Sequence, residues 1–419
     1  MIAKVNWIHE FRRMMQRVLK NKWAEQWITT SLVLLFIGLL VSRALVSFVS
    51  VLIVVPFFFQ SIQQPPAKKI VWAIGLIIIP VLLSFFWSDD KMLWWNSLSI
   101  KLALITMMLG LLSVPLADKR WIQVTWIYLF IISLGCGWSL WQYANNYIGI
   151  QEGYLRSKLL PTPADNDHIR FSWMVVAAIF MGTKCLVYEK KKITRVALIV
   201  ILFFLKVYLH ILASKTGIVC FYTGCIIYLL YISIIQKKWK QGLGIAGFFI
   251  AIATICYFTM PTLRNRVQYV LYDFSNYGKG HTLPGYTDAA RWQSIKAGYS
   301  ITTQHPVNGV GFGDMLSAIN QWHDKNHPSS FSYERFLPAN EWLVYGTGSG
   351  WPGLLCFAAG FALLLYYTTS KNVWSIILSV ISVIPFLIDD TLEGQTGVVV
   401  LAFIVFFGQQ KLKGPPVIT

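Results

Sequence analysis

The chain has 419 residues, of which 56% are hydrophobic, 15% are aromatic and only 13% are charged, and its formal net charge is +18. Soluble proteins carry about 25% charged residues, so this composition excludes a large soluble helical enzyme. Runs of about 18 or more apolar residues recur along the whole sequence, and each can cross a hydrocarbon core of about 30 Å. The sequence therefore predicts an all-α integral membrane protein with about twelve transmembrane helices.

The predicted elements form four regions in chain order. Residues 1–26 are basic and are interpreted as an amphipathic helix on the cytoplasmic membrane surface. Nine transmembrane helices are expected in residues 27–260, and a large external loop in 261–339. Three further helices and a cytoplasmic tail follow in 340–419. The expected spans lie near residues 27–42, 44–60, 70–87, 97–116, 121–142, 170–188, 195–213, 216–235, 242–260, 340–369, 372–388 and 396–410.

The distribution of charge predicts the orientation of the chain. If the N-terminus is cytoplasmic, the inner segments hold many basic residues, such as Arg12, Lys68 and Lys191, and few acidic ones. Positively charged loops stay inside, so both termini are expected in the cytoplasm. The basic total is thereby explained by topology, and no nucleic-acid partner is expected.

The six cysteines predict neither disulfides nor a zinc site. All of them fall inside apolar runs, without CxxC or Cys/His spacing, and are interpreted as small buried hydrophobic residues. They are Cys136, Cys185, Cys220, Cys225, Cys256 and Cys356.

Polar residues concentrate in the external segments rather than at mid-membrane depth. A transporter usually places polar groups deep in the membrane, so this distribution favours a site at the outer face. Lys101 and Lys206 are expected near helix ends, with side chains that extend to the interface. Several other cations lie outside, where the topology does not require them, and can bind an anionic headgroup. They are Arg170 and Lys215 at helix starts and Arg264, Arg266 and Arg291 in the long loop.

Glycines mark two special backbone positions. Gly309, Gly311 and Gly313 alternate after His305-Pro306, which allows a tight turn. The favoured interpretation is a turn between helices, and the alternative is a phosphate-binding loop. Further along, a Gly-rich segment with Pro352 is expected to interrupt the tenth helix.

These motifs, in this order, resemble the O-antigen ligase and polymerase superfamily. Its members are bacterial inner-membrane enzymes that act on glycans carried on undecaprenyl diphosphate. The matching segments are Ser214-Lys215-Thr216-Gly217, Arg291-Trp292, Pro306-Val-Asn-Gly309-Val-Gly311, Ala339-Asn340-Glu341-Trp342-Leu343, Gly350-Trp-Pro-Gly353-Leu354 and Asp389-Asp390-Thr-Leu-Glu393-Gly-Gln395-Thr-Gly397.

The resemblance implies a fold similar to class C glycosyltransferases, with a periplasmic loop between helices nine and ten. It also implies transfer of an undecaprenyl-diphosphate-linked oligo- or polysaccharide to lipid A–core. The long loop holds no DxD-like motif, so a reaction without metal or cofactor is expected, and a direct displacement would invert the anomeric configuration. Alternatives are an O-antigen or exopolysaccharide polymerase and a protein O-oligosaccharyltransferase. A rival from another class is a flippase or transporter of the lipid-linked glycan.

Candidate site residues follow from the same resemblance. The donor diphosphate is expected to contact Lys215, Arg170, Arg291, Arg264 and Arg266. The chain departs from the family at Ala339, where members carry a histidine that looks important for catalysis. Glu341 is slightly favoured as the base instead, because a helix N-terminus favours its ionised form. It could equally serve only as a helix cap. A further alternative is that the chain belongs to a branch, such as the polymerases, with another arrangement of the site.

Other side chains remain candidates for the same role or for binding. The histidines are His305, His323 and His327 in the loop and His168 at a helix start, and the remaining candidates are Asn340, Asp389 and Glu393. Two external carboxylate pairs, Asp89-Asp90 and Asp389-Asp390, are the main threat to the expectation of a metal-independent reaction.

Overall fold

The computed structural model of the chain describes residues 2–59, 66–114, 116–155, 158–163, 166–276, 287–410 and 412, with side chains from residue 22 onward except 273–276 and 287–289. Within these residues the regular structure is helical and contains no strand. In chain order the α-helices are α1 (Ile2–Val41), α2 (Arg43–Leu52), α3 (Val55–Phe59), α4 (Lys68–Leu83), α5 (Lys91–Ser113), α6 (Asp118–Asn145), α7 (Tyr147–Tyr154), α8 (His168–Tyr188), α9 (Lys192–Leu212), α10 (Lys215–Leu230), α11 (Trp239–Thr259), α12 (Pro261–Asn276), α13 (Thr287–Gln304), α14 (Met315–Asn326), α15 (Glu341–Thr368), α16 (Val373–Ile388) and α17 (Gln395–Ala402).

The apolar helices agree with the predicted spans. Nine helices in the described ranges are long and apolar enough to cross a membrane, namely the Lys22–Val41 part of α1 together with α4, α5, α6, α8, α9, α10, α11 and α15. Three shorter apolar segments, Arg43–Phe59, Val373–Ile388 and Gln395–Gly408, fall where the remaining spans were expected. The all-α membrane fold is therefore confirmed, whereas the count of twelve spans stays a prediction.

The basic N-terminal segment is helical and continues directly into the first apolar helix, since α1 covers Ile2–Val41. The side chains of residues 1–21, which carry the predicted amphipathic pattern, lie outside the described residues, as do Lys411 and Lys413 of the predicted cytoplasmic tail. The amphipathic surface helix thus stays a prediction.

Polar caps fix the starts of three helices at one end of the bundle. Asp90, Asp167 and Asn340 each accept a hydrogen bond from the backbone N–H three residues further on, at the starts of α5, α8 and α15. Such caps satisfy amides that a helix start leaves without a partner. We call this end of the bundle the site end, because every predicted site residue in the described ranges lies on it or on the loop that covers it.

The predicted break in the tenth helix is real. Helix α15 leaves helical geometry at Ser349 (φ −141°, ψ 16°) and Gly350 (φ 67°, ψ −168°). Gly350 has a positive φ that other residues rarely adopt, and a Cβ there would lie 2.6 Å from the carbonyl oxygen of Pro306. The kink therefore requires a glycine and leaves backbone groups open to a partner from another segment.

The glycine-rich turn of the external loop fills this kink. The N–H groups of Val310 and Gly311 donate to the carbonyls of Thr347 (2.8 Å) and Gly348 (3.0 Å). Gly309 has φ 64°, and a Cβ on it would lie 2.5 Å from the backbone of α15. The interpretation as a turn between helices is confirmed, and these amides already bind protein carbonyls.

The external loop is largely helical where it is described. It contains α12, α13 and α14, and α13 packs closely on the start of α15. The contact is made at Gly298, where a Cβ would lie 2.6 Å from Pro338. This packing places α13, and with it Arg291, against the site end of the transmembrane helices.

Candidate functional site

Arg170 lies at the centre of the charged groups at the site end. Its Nη1 donates to Asp167 Oδ2 at 2.6 Å, within the first turn of α8. Its Nη2 donates to the carbonyl oxygen of Asp390 at 3.0 Å and lies 3.4 Å from Asp389 Oδ2. The guanidinium therefore binds the start of α8 to the turn 389–394 that joins α16 and α17.

Arg291 reaches the same turn from the external loop. Its Nη1 donates to the carbonyl oxygen of Ile388 at 2.8 Å and lies 3.6 Å from Asp389 Oδ1. Asp389 thus forms ion pairs with two arginines that are separated by 121 positions (291 − 170) in the sequence. The structure brings together three of the predicted site residues, Arg170, Arg291 and Asp389, in one network of charges.

Asp390 differs from its neighbour in exposure. Its side chain is 31% exposed, against 11% for Asp389, and its Oδ1 lies 3.6 Å from Arg170 Nη2. Burial and the adjacent Asp389 carboxylate raise the pKa of Asp390 to about 7. Two neighbouring carboxylates do not readily carry charge together, so the pair holds a proton more strongly than a single exposed carboxylate does.

Lys215 belongs to a second group of cations, at the start of α10. Its Nζ lies 5.6 Å from the centre of the Tyr269 ring, and Arg266 lies 5.1 Å from the same ring. Aromatic faces attract cations at such distances. Arg266 is buried, whereas Arg264 is exposed on another face of α12. Lys215 and Arg266 are therefore brought together, and Arg264 lies at the periphery.

The two cation groups are linked through α8. Ser172 Oγ lies 3.0 Å from Ser214 Oγ, next to Lys215, and a Cβ on Gly217 would lie 2.6 Å from Ser172 Cβ. Helices α8 and α10 consequently approach closely where both begin. His168, in the first turn of α8, lies within the electrostatic range of Arg291, Arg266 and Asp167. It is the predicted histidine that lies among the cations.

Asn340 caps α15 and also bridges to α16. Its Oδ1 accepts from the N–H of Leu343 at 3.2 Å, and its Nδ2 donates to the carbonyl oxygen of Leu387 at 3.0 Å. Ala339, where the resemblance implies a histidine in related proteins, is buried, and its N–H donates to Ser294 Oγ at 3.0 Å. Ser294 lies one helical turn from Arg291, so position 339 borders the charged network.

Glu341 is not at the surface where the sequence placed it. The side chain is completely buried, and its Oε2 accepts from the N–H of Leu392 at 2.9 Å. Its Oε1 has no hydrogen-bond partner among the described residues. Glu341 therefore supports the inner side of the turn 389–394, and an acceptor hydroxyl does not reach it in this arrangement. Its role as base stays a prediction that this burial does not favour.

Glu393 also points inward, toward a buried lysine. Its Oε1 lies 2.5 Å from Lys101 Nζ, and its Oε2 accepts from Ser97 Oγ at 2.9 Å. The expectation that Lys101 extends to the interface is wrong, because the side chain is only 1% exposed and forms this ion pair inside the protein. The sequence missed the pairing because the two residues are 292 positions apart.

The loop histidines lie away from the arginines. His305 is exposed at the end of α13, and His327 packs on Trp322 at 5.5 Å between ring centres. His323 is buried beside them, where its Nδ1 lies 3.1 Å from Ser330 Oγ. In the described part of the chain, neither hydrogen bonds nor ion pairs connect these rings to Arg170 or Arg291.

The other acidic pair, Asp89-Asp90, contacts Asp314 of the external loop. The backbone N–H groups of Asp89 and Asp90 donate to the Asp314 carboxylate, at 2.6 Å and 3.1 Å. The N–H of Gly313 donates to Ser88 Oγ at 3.2 Å. This segment therefore anchors the glycine turn to the start of α5, and the turn's amides offer little to a phosphate group.

Comparison with known proteins finds a family model that the middle of the chain matches. Residues 197–358 match the family model described as O-Antigen ligase, which is less than half of the 419 residues. The segment includes Lys215, Arg291 and Glu341, whereas Arg170 and the turn 389–394 lie outside it. No curated protein matches the chain. The resemblance predicted from the sequence motifs is confirmed.

Proposed function

We propose, from the similarity of residues 197–358 to the O-antigen ligase family, that this membrane protein transfers a glycan from undecaprenyl diphosphate to an acceptor hydroxyl. The observation that carries the proposal is the meeting of Arg170 and Arg291 at Asp389, at the bundle end that also holds Lys215 and Arg266. Positive charge gathered at one membrane face suits a lipid-linked diphosphate. By the positive-inside rule this face is the periplasmic one of the inner membrane.

The reaction follows from the charges. The acceptor oxygen attacks the anomeric carbon while the bond from that carbon to the diphosphate oxygen breaks, which inverts the configuration. The electron pair leaves with the undecaprenyl diphosphate, and nearby cations stabilise the negative charge that develops there. Lys215, Arg266 and Arg291 have this role, with Arg264 at the rim. Arg170 already binds three carboxylates, so it acts through its charge and through the position of the turn 389–394.

The acidic pair Asp389-Asp390 supports a metal-independent reaction. Two arginines lie within 3.6 Å of these carboxylates, and their charges oppose a divalent cation at the same place. The other acidic pair, Asp89-Asp90, has a structural contact, since its backbone amides bind the Asp314 carboxylate.

Purified protein in lipid nanodiscs tests the transfer. Lipid-linked glycan and lipid A–core are supplied without added metal, and product is measured as a glycolipid of higher mass. Arg291→Ala and Lys215→Ala should each lower transfer by about 10²–10³-fold, because each removes a charge that stabilises the leaving group.

The matched control is Lys296→Ala. Lys296 lies on the same helix as Arg291 but is exposed over the Trp292 ring, so this variant should transfer at the wild-type rate. Full activity of both Arg291→Ala and Lys215→Ala would contradict the assignment of the cations. Movement of the carrier across the bilayer without formation of a glycosidic bond would show that the protein is a transporter and not a transferase.

The acceptor is proposed to be lipid A–core, with the polymerase and the protein O-oligosaccharyltransferase as alternatives. Deletion strains separate them through the lipopolysaccharide ladder. A ligase deletion removes all long chains from lipid A–core, whereas a polymerase deletion leaves a single repeat attached. An unchanged ladder together with loss of glycan from a surface protein identifies the protein glycosyltransferase.

A further inference from the structure

We infer that Asp390 is the general base that accepts the proton of the acceptor hydroxyl, in place of the family's histidine that is absent at Ala339. The inference rests on the proposed glycosyl transfer. A base must be close to the charged site, open to an acceptor and able to take up a proton. The carboxylates at the site end differ clearly in these properties.

Exposure and partners separate Asp390 from the other carboxylates. Asp167 is only 13% exposed and binds Arg170 at 2.6 Å. Asp389 is 11% exposed, with one oxygen facing each arginine. Glu341 is buried on the amide of Leu392, and Glu393 is paired with Lys101. Asp390, at 31%, keeps a carboxylate surface that an acceptor can reach.

The start of α8 connects Asp390 to the second group of cations. Arg170, whose Nη2 donates to the carbonyl oxygen of Asp390, and Ser172, which contacts the start of α10 beside Lys215, are two residues apart in α8. Asp390 therefore belongs to the same end of the bundle as the cations proposed to bind the diphosphate.

Burial and the surrounding charges keep Asp390 near the point of proton exchange. The charged groups that act on it are Arg170 of α8, Arg291 of α13, Glu341 of α15, and Asp389 and Glu393 of its own turn, while Asp167 is paired with Arg170. Burial and the three acidic neighbours oppose the charged form, and the two arginines favour it. The pKa of Asp390 is thereby raised to about 7, which suits a base that works near neutral pH.

The proton balance of the step is complete. The acceptor O–H proton passes to an Asp390 oxygen, and the acceptor oxygen forms the bond to the anomeric carbon. The bond to the diphosphate breaks, and its electrons leave on the phosphate oxygen. Asp390 then returns the proton to solvent, to which its side chain is open.

Asp390→Asn tests the inference because it keeps the size of the side chain and removes the base. In nanodiscs, transfer to lipid A–core should fall about 10²–10⁴-fold. The wild-type rate should rise as the pH increases through about 7, because the deprotonated carboxylate is the active form. The variant should lose this rise.

Azide serves as the internal control, because it attacks the anomeric carbon without a proton to remove. Asp390→Asn and the wild type should form glycosyl azide at similar rates, which also shows that the variant is folded and binds donor. Asp389→Asn should instead lower the rates of both the azide reaction and the transfer to lipid A–core, because it removes the carboxylate that pairs with Arg170 and Arg291.

Three outcomes would overturn the inference. They are normal transfer to lipid A–core by Asp390→Asn, a pH profile that is unchanged in this variant, and equal loss of the azide and hydroxyl reactions. A wild-type protein that forms neither product would overturn the proposed function itself, and the assignment of the base with it.

Discussion

At the scale of single residues, the partners of the side chains distinguish the two glutamates that the sequence offered as candidates from the aspartates between them. Glu341 and Glu393 point inward, and Asp389 and Asp390 face the arginines. All four carboxylates contact or belong to the turn 389–394. The turn therefore has a buried side that fixes its position and a charged side that borders the cations.

Substitution of Glu341 separates a supporting role from a catalytic one. Glu341→Gln keeps an oxygen that accepts from the N–H of Leu392 and should retain most transfer activity. Glu341→Ala removes that acceptor and leaves a buried amide without a partner, at a cost of about 1–3 kcal/mol. Transfer rates and thermal unfolding in detergent measure both effects. Complete loss of transfer in a well-folded Glu341→Gln protein would restore Glu341 as the base.

Gly309 provides a second residue-scale prediction. Gly309→Ala forces a side chain into a positive φ and against α15, so we expect the free energy of unfolding to fall by at least about 1–3 kcal/mol. Gly244→Ala in α11 is the matched control, because no atom lies within 4 Å of its Cβ position. That change should leave the thermal midpoint unchanged or raise it slightly. Equal midpoints for the two variants would argue against the docked turn.

At the scale of elements, the Lys101–Glu393 pair joins α5 to the turn 389–394. Removing one charge leaves the other buried, which costs about 3–5 kcal/mol, whereas removing both costs less. We therefore expect Lys101→Met and Glu393→Gln to destabilise the protein more than the double variant does. Thermal unfolding of the three proteins forms a double-mutant cycle, and additive effects would show that the pair is not coupled.

The elements were predictable from sequence to different degrees. The long apolar helices follow from hydrophobicity and length alone, and the break at Gly350 follows from its glycines and Pro352. The pairing of Arg170 and Arg291 with Asp389 was not predictable, since it depends on how α8, α13 and α16 pack. Glu341 was misplaced for a related reason, because a helix start that looks external in sequence is covered by the turn 389–394.

At the scale of the whole molecule, the orientation in the membrane can be measured directly. The described cysteines are buried or partly buried, so the wild-type protein should react little with a maleimide. A cysteine in place of exposed Ser317 on α14 should react with an impermeant maleimide in intact spheroplasts, whereas one in place of exposed Lys191 should react only after lysis. The reverse pattern would place the charged site in the cytoplasm.

The turn 389–394 lies outside the segment that matches the family model. Its Asp389 nevertheless forms an ion pair with Arg291, which lies inside that segment. Under the proposed function, donor recognition and proton removal are divided between two stretches of the chain. A chimera that takes residues 339–394 from a histidine-bearing relative should keep the preference for the lipid carrier and acquire a different pH optimum.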